Sequence, residues 1–198
     1  MLLKDYFNQM AVKWDEIMGP EVVERLREIV EKCGVKKGTT VLDVACGTGI
    51  LTPILLEAVG EDGEVTGIDF APEMVKQARA KNFGSNALFQ VADVMDMPFG
   101  DESFDQVFCN GALPHFPDIL ASLSEMKRVL RAGGRLVICH AGSREHINEM
   151  HRSIGEPVAN DLLPTAAELK TMLEKAGFVD IFYEDTADRF VFAARKPV

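Results

Sequence analysis

The chain has 198 residues, 47% of them hydrophobic and 26% charged, with a formal net charge of −10 at pH 7. That length suits one domain burying about 70% of its unfolded surface. The acidity argues against a nucleic-acid surface, which shows a basic stripe, and no apolar run approaches the ~20 residues needed to span a bilayer. The start, MLLKDYFNQMAVKW, lacks the uncharged core and small-residue cleavage site of a secretory signal, so the expected compartment is the cytoplasm. Cys33, Cys46, Cys109 and Cys139 are widely spaced and read as buried free thiols.

In chain order, residues 4–17 read as one helix carrying Tyr6, Phe7, Met10 and Trp14. Residues 20–33 form an amphipathic helix, with Pro20 in its first turn and Gly34 just past its end. TTVLDVAC is a buried strand, ILTPILLEAVG a helix, GEVTGIDF a second strand and APEMVKQARAKNF a second crossover helix. NALFQVAD and SFDQVFCNGAL are the third and fourth strands. DILASLSEMKRVLRAGG is a long helix closed by Gly133, and GRLVICHA is the fifth strand. Residues 142–164 read as an irregular polar stretch, and TAAELKTMLEKAG as a helix capped by Thr165 with Glu168 at the capping-box position. FVDIFYED and RFVFAARK close the chain as a hairpin. Strand–helix alternation predicts an α/β fold: a Rossmann-like, doubly wound, seven-stranded sheet, mostly parallel with an antiparallel strand from the C-terminal hairpin. Ligands of such sheets bind outside the carboxyl ends of the strands.

Gly47 and Gly49 follow the first strand and open the next helix. Glycine permits a tight turn and lets backbone approach a ligand, but a lone Gly-x-Gly also fits a plain strand-to-helix turn. Asp69 ends the second strand, where a carboxylate can accept bonds from ribose hydroxyls. A dinucleotide fingerprint needs a third glycine where Thr52 stands, which disfavours a nicotinamide-dependent dehydrogenase, and no Gly-Lys-Ser/Thr follows to make a P-loop. Asp43, just before the turn, would repel a pyrophosphate and could receive a cationic amino group. The turn favours an adenosyl ligand without phosphates.

VLDVACGTGILT, VTGIDFAPEMVKQAR, ALFQVADVMDMPFGDESFDQVFCNGALPHF and LSEMKRVLRAGGRLVI resemble, in order, the motifs of class I S-adenosylmethionine-dependent methyltransferases. The likeness covers about residues 36–140. The subgroup it resembles is the small-molecule methyltransferases of the ubiquinone and menaquinone biosynthesis type, whose N-terminal pattern is matched by Tyr6, Phe7, Ala11, Trp14 and Asp15. The resemblance implies one domain over 1–198, with a helical N-terminal cap (1–34), a cofactor-binding core (36–140) and a substrate-side cap segment (141–164). It implies S-adenosylmethionine as methyl donor, S-adenosylhomocysteine as product and a small-molecule acceptor, in a monomer or homodimer with no nucleic-acid partner. By motif, Asp43 and the backbone of Ala45, Cys46, Gly47, Thr48 and Gly49 would hold the methionine part. Asp69 would bind the ribose, with Phe70 beside the adenine and Met74 under it, and Asp93 would accept from the adenine amino group near the Val94 amide. Asn110 and Gly111 would lie beside the sulfonium. Tyr6 and Trp14 would form a lid; core packing is the competing role for these two and for Phe70, Met74 and Val94.

The four histidines are His115, His140, His146 and His151. His115 and His140 follow the fourth and fifth strands, on the side where an acceptor would sit. Three readings remain open: ordinary loop residues; a general base, with His115 first and His140 second; or ligands of a metal or a corrinoid, with Glu145, Glu149 and Glu156 as further donors. The last reading also allows a non-catalytic protein binding S-adenosylmethionine or a metal cofactor. Arg144 and Arg152 could meet an acidic group on the acceptor, although solvated helix charges are the plainer role.

Overall fold

The computed structural model describes all 198 residues. The strands are β1 (Thr40–Val44), β2 (Glu64–Asp69), β3 (Ala87–Val91), β4 (Phe104–Asn110), β5 (Leu130–His140), β6 (Val179–Asp185) and β7 (Phe190–Arg195). They form one sheet in the order β3-β2-β1-β4-β5-β7-β6. β3, β2, β1, β4 and β5 pair in parallel, and β7 runs antiparallel to both β5 and β6. This is the predicted seven-stranded arrangement with one reversed strand. The strand order changes direction between β1 and β4, so their carboxyl ends diverge and leave a crevice.

The helices are α1 (Leu3–Met10), α2 (Trp14–Ile17), α3 (Pro20–Cys33), α4 (Thr52–Val59), α5 (Pro72–Ala80), α6 (Ile119–Val129), α7 (Arg144–Ile154) and α8 (Ala166–Lys175). Successive residues of a strand face opposite sides, and β1 uses this fully. Val41 packs with Leu26, Ile29, Leu51 and Leu55 of α3, α4 and their approach, whereas Leu42 and Val44 pack with Leu123, Met126, Leu169 and Leu173 of α6 and α8. Asp43 shares Val41's side and is 1% exposed, a carboxylate in an otherwise apolar strand. The α3 residues Leu26, Ile29, Val30 and Cys33 recur at helical spacing and are all buried, and each large apolar side chain so buried contributes about 1.5–3 kcal/mol. All four cysteines are free and buried, and no helix is long and apolar enough to cross a membrane.

Three sequence expectations are corrected. The helix expected over 4–17 is broken into α1 and α2. Tertiary contacts override helical propensity here: the break lets Trp14 and Asp15 reach the glycine turn. The helix expected to run to Gly133 stops at Val129, because Leu130 already pairs with Phe104 of β4. Gly133, at φ +71°, instead turns an excursion in β5 that is tied down by Gly133 N to Lys196 O (3.0 Å) and Lys196 N to Gly134 O (2.9 Å). The stretch expected to be irregular contains α7, whose N-cap Ser143 accepts from the His146 amide at 3.2 Å. The Thr165–Glu168 capping box of α8 is present as expected.

β2 must come very close to the loop after β1. A Cβ added at Gly67 would stand 2.7 Å from the Phe89 ring and 2.9 Å from Cys46 Sγ, whereas one at Gly19 would meet nothing within 4 Å. Gly67→Ala is therefore expected to destabilise the fold by about 1–3 kcal/mol through overpacking. Gly19→Ala, which meets open space and exchanges only the glycine N-cap of α3, is expected to cost less, under about 1 kcal/mol. Urea unfolding of the two variants checks the contrast.

Candidate active site

The loop after β1 is fixed by a carboxylate. Asp69, at the end of β2, accepts from Gly47 N through Oδ2 (2.9 Å) and from Ala71 N through Oδ1 (2.8 Å). One side chain thus ties the glycine turn to the entry of α5, and the Cys46 amide adds a bond to Ile68 O at 2.9 Å. Gly49 has φ +81°, and a Cβ there would stand 2.9 Å from the Phe83 ring, so no other residue fits this position without strain. Burial raises the Asp69 carboxyl to about 6, against the opposing pull of its two amides.

Asp43 lies beneath this turn. Its Oδ2 is buried and has no hydrogen-bond partner. Burial, with the nearby Asp69 charge adding, pushes its carboxyl up to about 8, while the Thr52 hydroxyl pulls it down. A buried acceptor left unpaired costs free energy unless something supplies a donor.

A cavity of about 250 Å³ opens at the carboxyl ends of β1, β2 and β4, and 16 of its 24 wall residues are hydrophobic. It brings together Trp14, Asp43, Ala45, Cys46, Gly47, Asp69, Phe70, Met74, Asp93, Val94, Asn110, Gly111 and His115 from the sequence-predicted set. The wall holds three aspartates and no lysine or arginine. Asp93 is turned by its own Oδ1 accepting from Met95 N at 2.9 Å. Trp14 approaches the turn so closely that a Cβ on Gly47 would lie 3.5 Å from its indole nitrogen.

Three of the predicted cofactor-binding residues stay off the wall. Gly49 is spent on the Phe83 contact. Thr48 is 1% exposed and donates to Asp15 at 2.5 Å, while Asp15 also pairs with Lys81 at 2.6 Å, latching α2 over the turn. Tyr6 is displaced by its neighbour: α1 turns Phe7 inward, and Tyr6 packs edge-on against the Phe7 ring at 5.3 Å. Phe7, Met18, Phe116 and Pro117 are among the further wall residues, none of them singled out as a ligand contact.

The histidines part company. His115, in a short 3₁₀ turn at Leu113–His115, is in the wall, and its Nδ1 lies 2.8 Å from Asp161 Oδ2. His151 of α7 packs beside it, ring centroids 4.9 Å apart, with its own Nδ1 2.5 Å from the Asp161 carbonyl oxygen. Burial lowers the His151 pKa, and the nearby His115 adds to that. His140 is buried off the cavity wall with Nε2 unpartnered, and burial followed by His115 and His151 lowers it to about 3. It is therefore neutral and out of reach as a base, contrary to the expectation for it. His146 is exposed on α7. The expected metal set of His115, His140, His146 and His151 is likewise not formed: no group of three or more His, Cys, Asp or Glu side chains is placed to hold a metal ion. Asp161 had no signal in the sequence, because it lies 46 residues from His115.

The family described as a methyltransferase domain matches residues 35–177. The demethylmenaquinone methyltransferase of Staphylococcus aureus is 35% identical over 179 residues, covering 78% of this chain and 74% of that protein. An S-adenosylmethionine-dependent methyltransferase from Aquifex aeolicus superposes with a TM-score of 0.79 at 25% identity, over 95% of this chain and 97% of that one. Phosphoethanolamine N-methyltransferase 2 of Haemonchus contortus, solved with S-adenosyl-L-methionine, shares the fold at 19% identity, TM-score 0.79, over 96% of this chain and 57% of that one.

The buried carboxyls make stability depend on pH. A carboxyl whose pKa is raised by folding keeps its proton in the folded state when the unfolded chain has lost it. Stability is then fully present below the unfolded value and falls as pH rises through the folded one. Depressed His140 acts oppositely, but only between about 3 and its ordinary 6.5. From pH 6.5 to 8 the Asp43 effect is therefore expected to stand out: ligand-free protein loses stability with a slope approaching about 1.4 kcal/mol per pH unit at the low end. Urea unfolding across that range checks it, and Asp43→Asn should flatten the slope.

Proposed function

We propose, for a chain that belongs to the class I S-adenosylmethionine-dependent methyltransferases, that the cavity holds the methyl donor along β1, β2 and β3 and a small apolar acceptor beside His115. The observation that carries this is the wall's charge: three aspartates, one with a buried unpartnered oxygen, and no lysine or arginine. Such a wall suits a cationic, phosphate-free ligand and is unfavourable to a dinucleotide.

Asp43 Oδ2 would meet the amino group of the methionine part, beside the backbone of Ala45 to Gly47. Asp69 has spent one acceptor site per oxygen on amides, and an ionised carboxylate offers about four, so it retains capacity for ribose hydroxyls. Phe70, Met74 and Val94 would enclose the adenine, with Asp93 at its amino group. Asn110 and Gly111 would border the reacting centre, and Trp14 would exclude water. S-adenosylmethionine supplies an electrophilic methyl group from its sulfonium and leaves as S-adenosylhomocysteine.

The chain's own part is positioning and proton removal. Phe7, Ala112, Phe116 and Pro117 surround His115 with apolar surface, which selects an acceptor that is itself apolar. The Staphylococcus aureus relative is named for demethylmenaquinone, an acceptor of that kind. With His115 Nδ1 engaged by Asp161, Nε2 is left as the base for an acceptor whose methylated atom carries a proton.

Titration calorimetry with S-adenosylhomocysteine and with NAD tests the first part. Tight binding of S-adenosylhomocysteine, lost in Asp43→Ala, is expected, and binding of NAD alone would overturn the reading. A screen of quinols, phenols, amines and thiols with methyl-labelled donor tests the second. A quinol or phenol acceptor is expected, with kcat falling about 10²–10⁴-fold in His115→Ala; an undiminished kcat would remove His115 as base.

A further inference from the structure

We infer that Asp161 is the positioning residue for His115, and that α7 exists in part to deliver it. The inference rests on the reading of His115 as the base. The segment after α7 returns across the substrate side and is clamped to that helix at two levels. Asn148, 5% exposed, donates from Nδ2 to Leu163 O (3.2 Å) and accepts from Leu163 N through Oδ1 (2.7 Å). One turn further along α7, His151 reaches the Asp161 carbonyl oxygen at 2.5 Å. Three bonds from two buried side chains therefore fix the backbone on either side of Leu162, and the Asp161 carboxylate is carried to 2.8 Å from His115 Nδ1.

The chemistry follows from what each partner can do. An ionised carboxylate and a backbone carbonyl only accept, so His115 and His151 must each carry hydrogen on Nδ1. For neutral His115 this leaves the lone pair on Nε2. For each methyl it gains, an acceptor of the form X–H gives up one proton. The Nε2 lone pair takes it, the imidazolium so formed is held by the Asp161 carboxylate, and the proton then passes to solvent. The rings packed against His115 are His151, 4.9 Å away, and, from α1, the uncharged Phe7, 5.1 Å away. Asp161 is thus the one carboxylate bonded to His115, and it sets which nitrogen is free without touching the acceptor.

Nitrogen NMR of the full chain labelled with ¹⁵N-histidine tests this with no acceptor present. At pH 8 wild-type His115 is expected to show the Nδ1–H tautomer. Asp161→Asn, whose amide can also donate, should lose that pattern for a mixture or for Nε2–H, and Asp161→Glu should restore it at least in part. An Nε2–H tautomer in wild type, or an Asp161→Asn spectrum unchanged at His115, would overturn the proposal. Thermal unfolding run alongside identifies a variant that fails to fold, in which case the wild-type tautomer and Asp161→Glu decide. S-adenosylhomocysteine titrated into the same samples separates the two readings: no binding by wild type sinks the cofactor assignment, whereas normal binding with an unmoved His115 tautomer sinks only the role of Asp161.

Discussion

Everything at the ligand end of the sheet depends on Asp69 accepting two backbone amides. Through Gly47 and Ala71 it joins the loop leaving β1 to the loop leaving β2, and so fixes the glycine turn beside the entry of α5. The cost is a buried charge, offset by those two bonds. Asp43, on β1 and no less buried, has no such compensation on its free oxygen. Two carboxylates in one apolar setting therefore differ: one is occupied by the protein's own backbone, and the other keeps an oxygen that no group of the protein meets. Burial first, and the Asp69 charge after it, hold the Asp43 carboxyl at about 8.

The sheet was legible because its strands are short apolar runs separated by helices of strong period, and because glycine and aspartate stand where the chain must turn. Asp43, Gly47 and Asp69 stand out by these signals, and the motif resemblance supplies most of the other predicted wall residues. What failed has physical causes. A continuous helical pattern over residues 4–17 carried no trace of the break after Met10, since the break is made by contacts of Trp14 and Asp15 with a loop more than 30 residues away. Gly133 looked like a helix stop, but the helix had already ended where Leu130 found a strand partner. Tyr6 and Phe7 are adjacent and chemically alike, so only the rotation of α1 decides which of them faces the cavity.

The segment after β5 is the least legible part of the chain. α7 is rich in charge and poor in apolar residues, so its period was masked, and it is held by its Ser143 cap and by the polar clamps of Asn148 and His151 more than by a hydrophobic stripe. Clustering of the histidines left loop, base and metal roles open; the fold sends them to different places, one into the wall, one beneath it, one against the Asp161 backbone and one to solvent. Asp161 illustrates the general limit. Its partner is 46 residues away, and nothing local distinguishes it from any other loop aspartate.

The central claim is that Asp43 is the counter-charge for a cationic, phosphate-free ligand in the crevice between β1 and β4. Calorimetric titration of S-adenosylhomocysteine at pH 7, in two buffers of different ionisation enthalpy, measures the protons exchanged on binding. Because Asp43 stands at about 8 in the ligand-free protein, ligation should release roughly one proton per site, and Asp43→Asn should abolish that release. Tight binding with no proton released by the wild type would contradict the account.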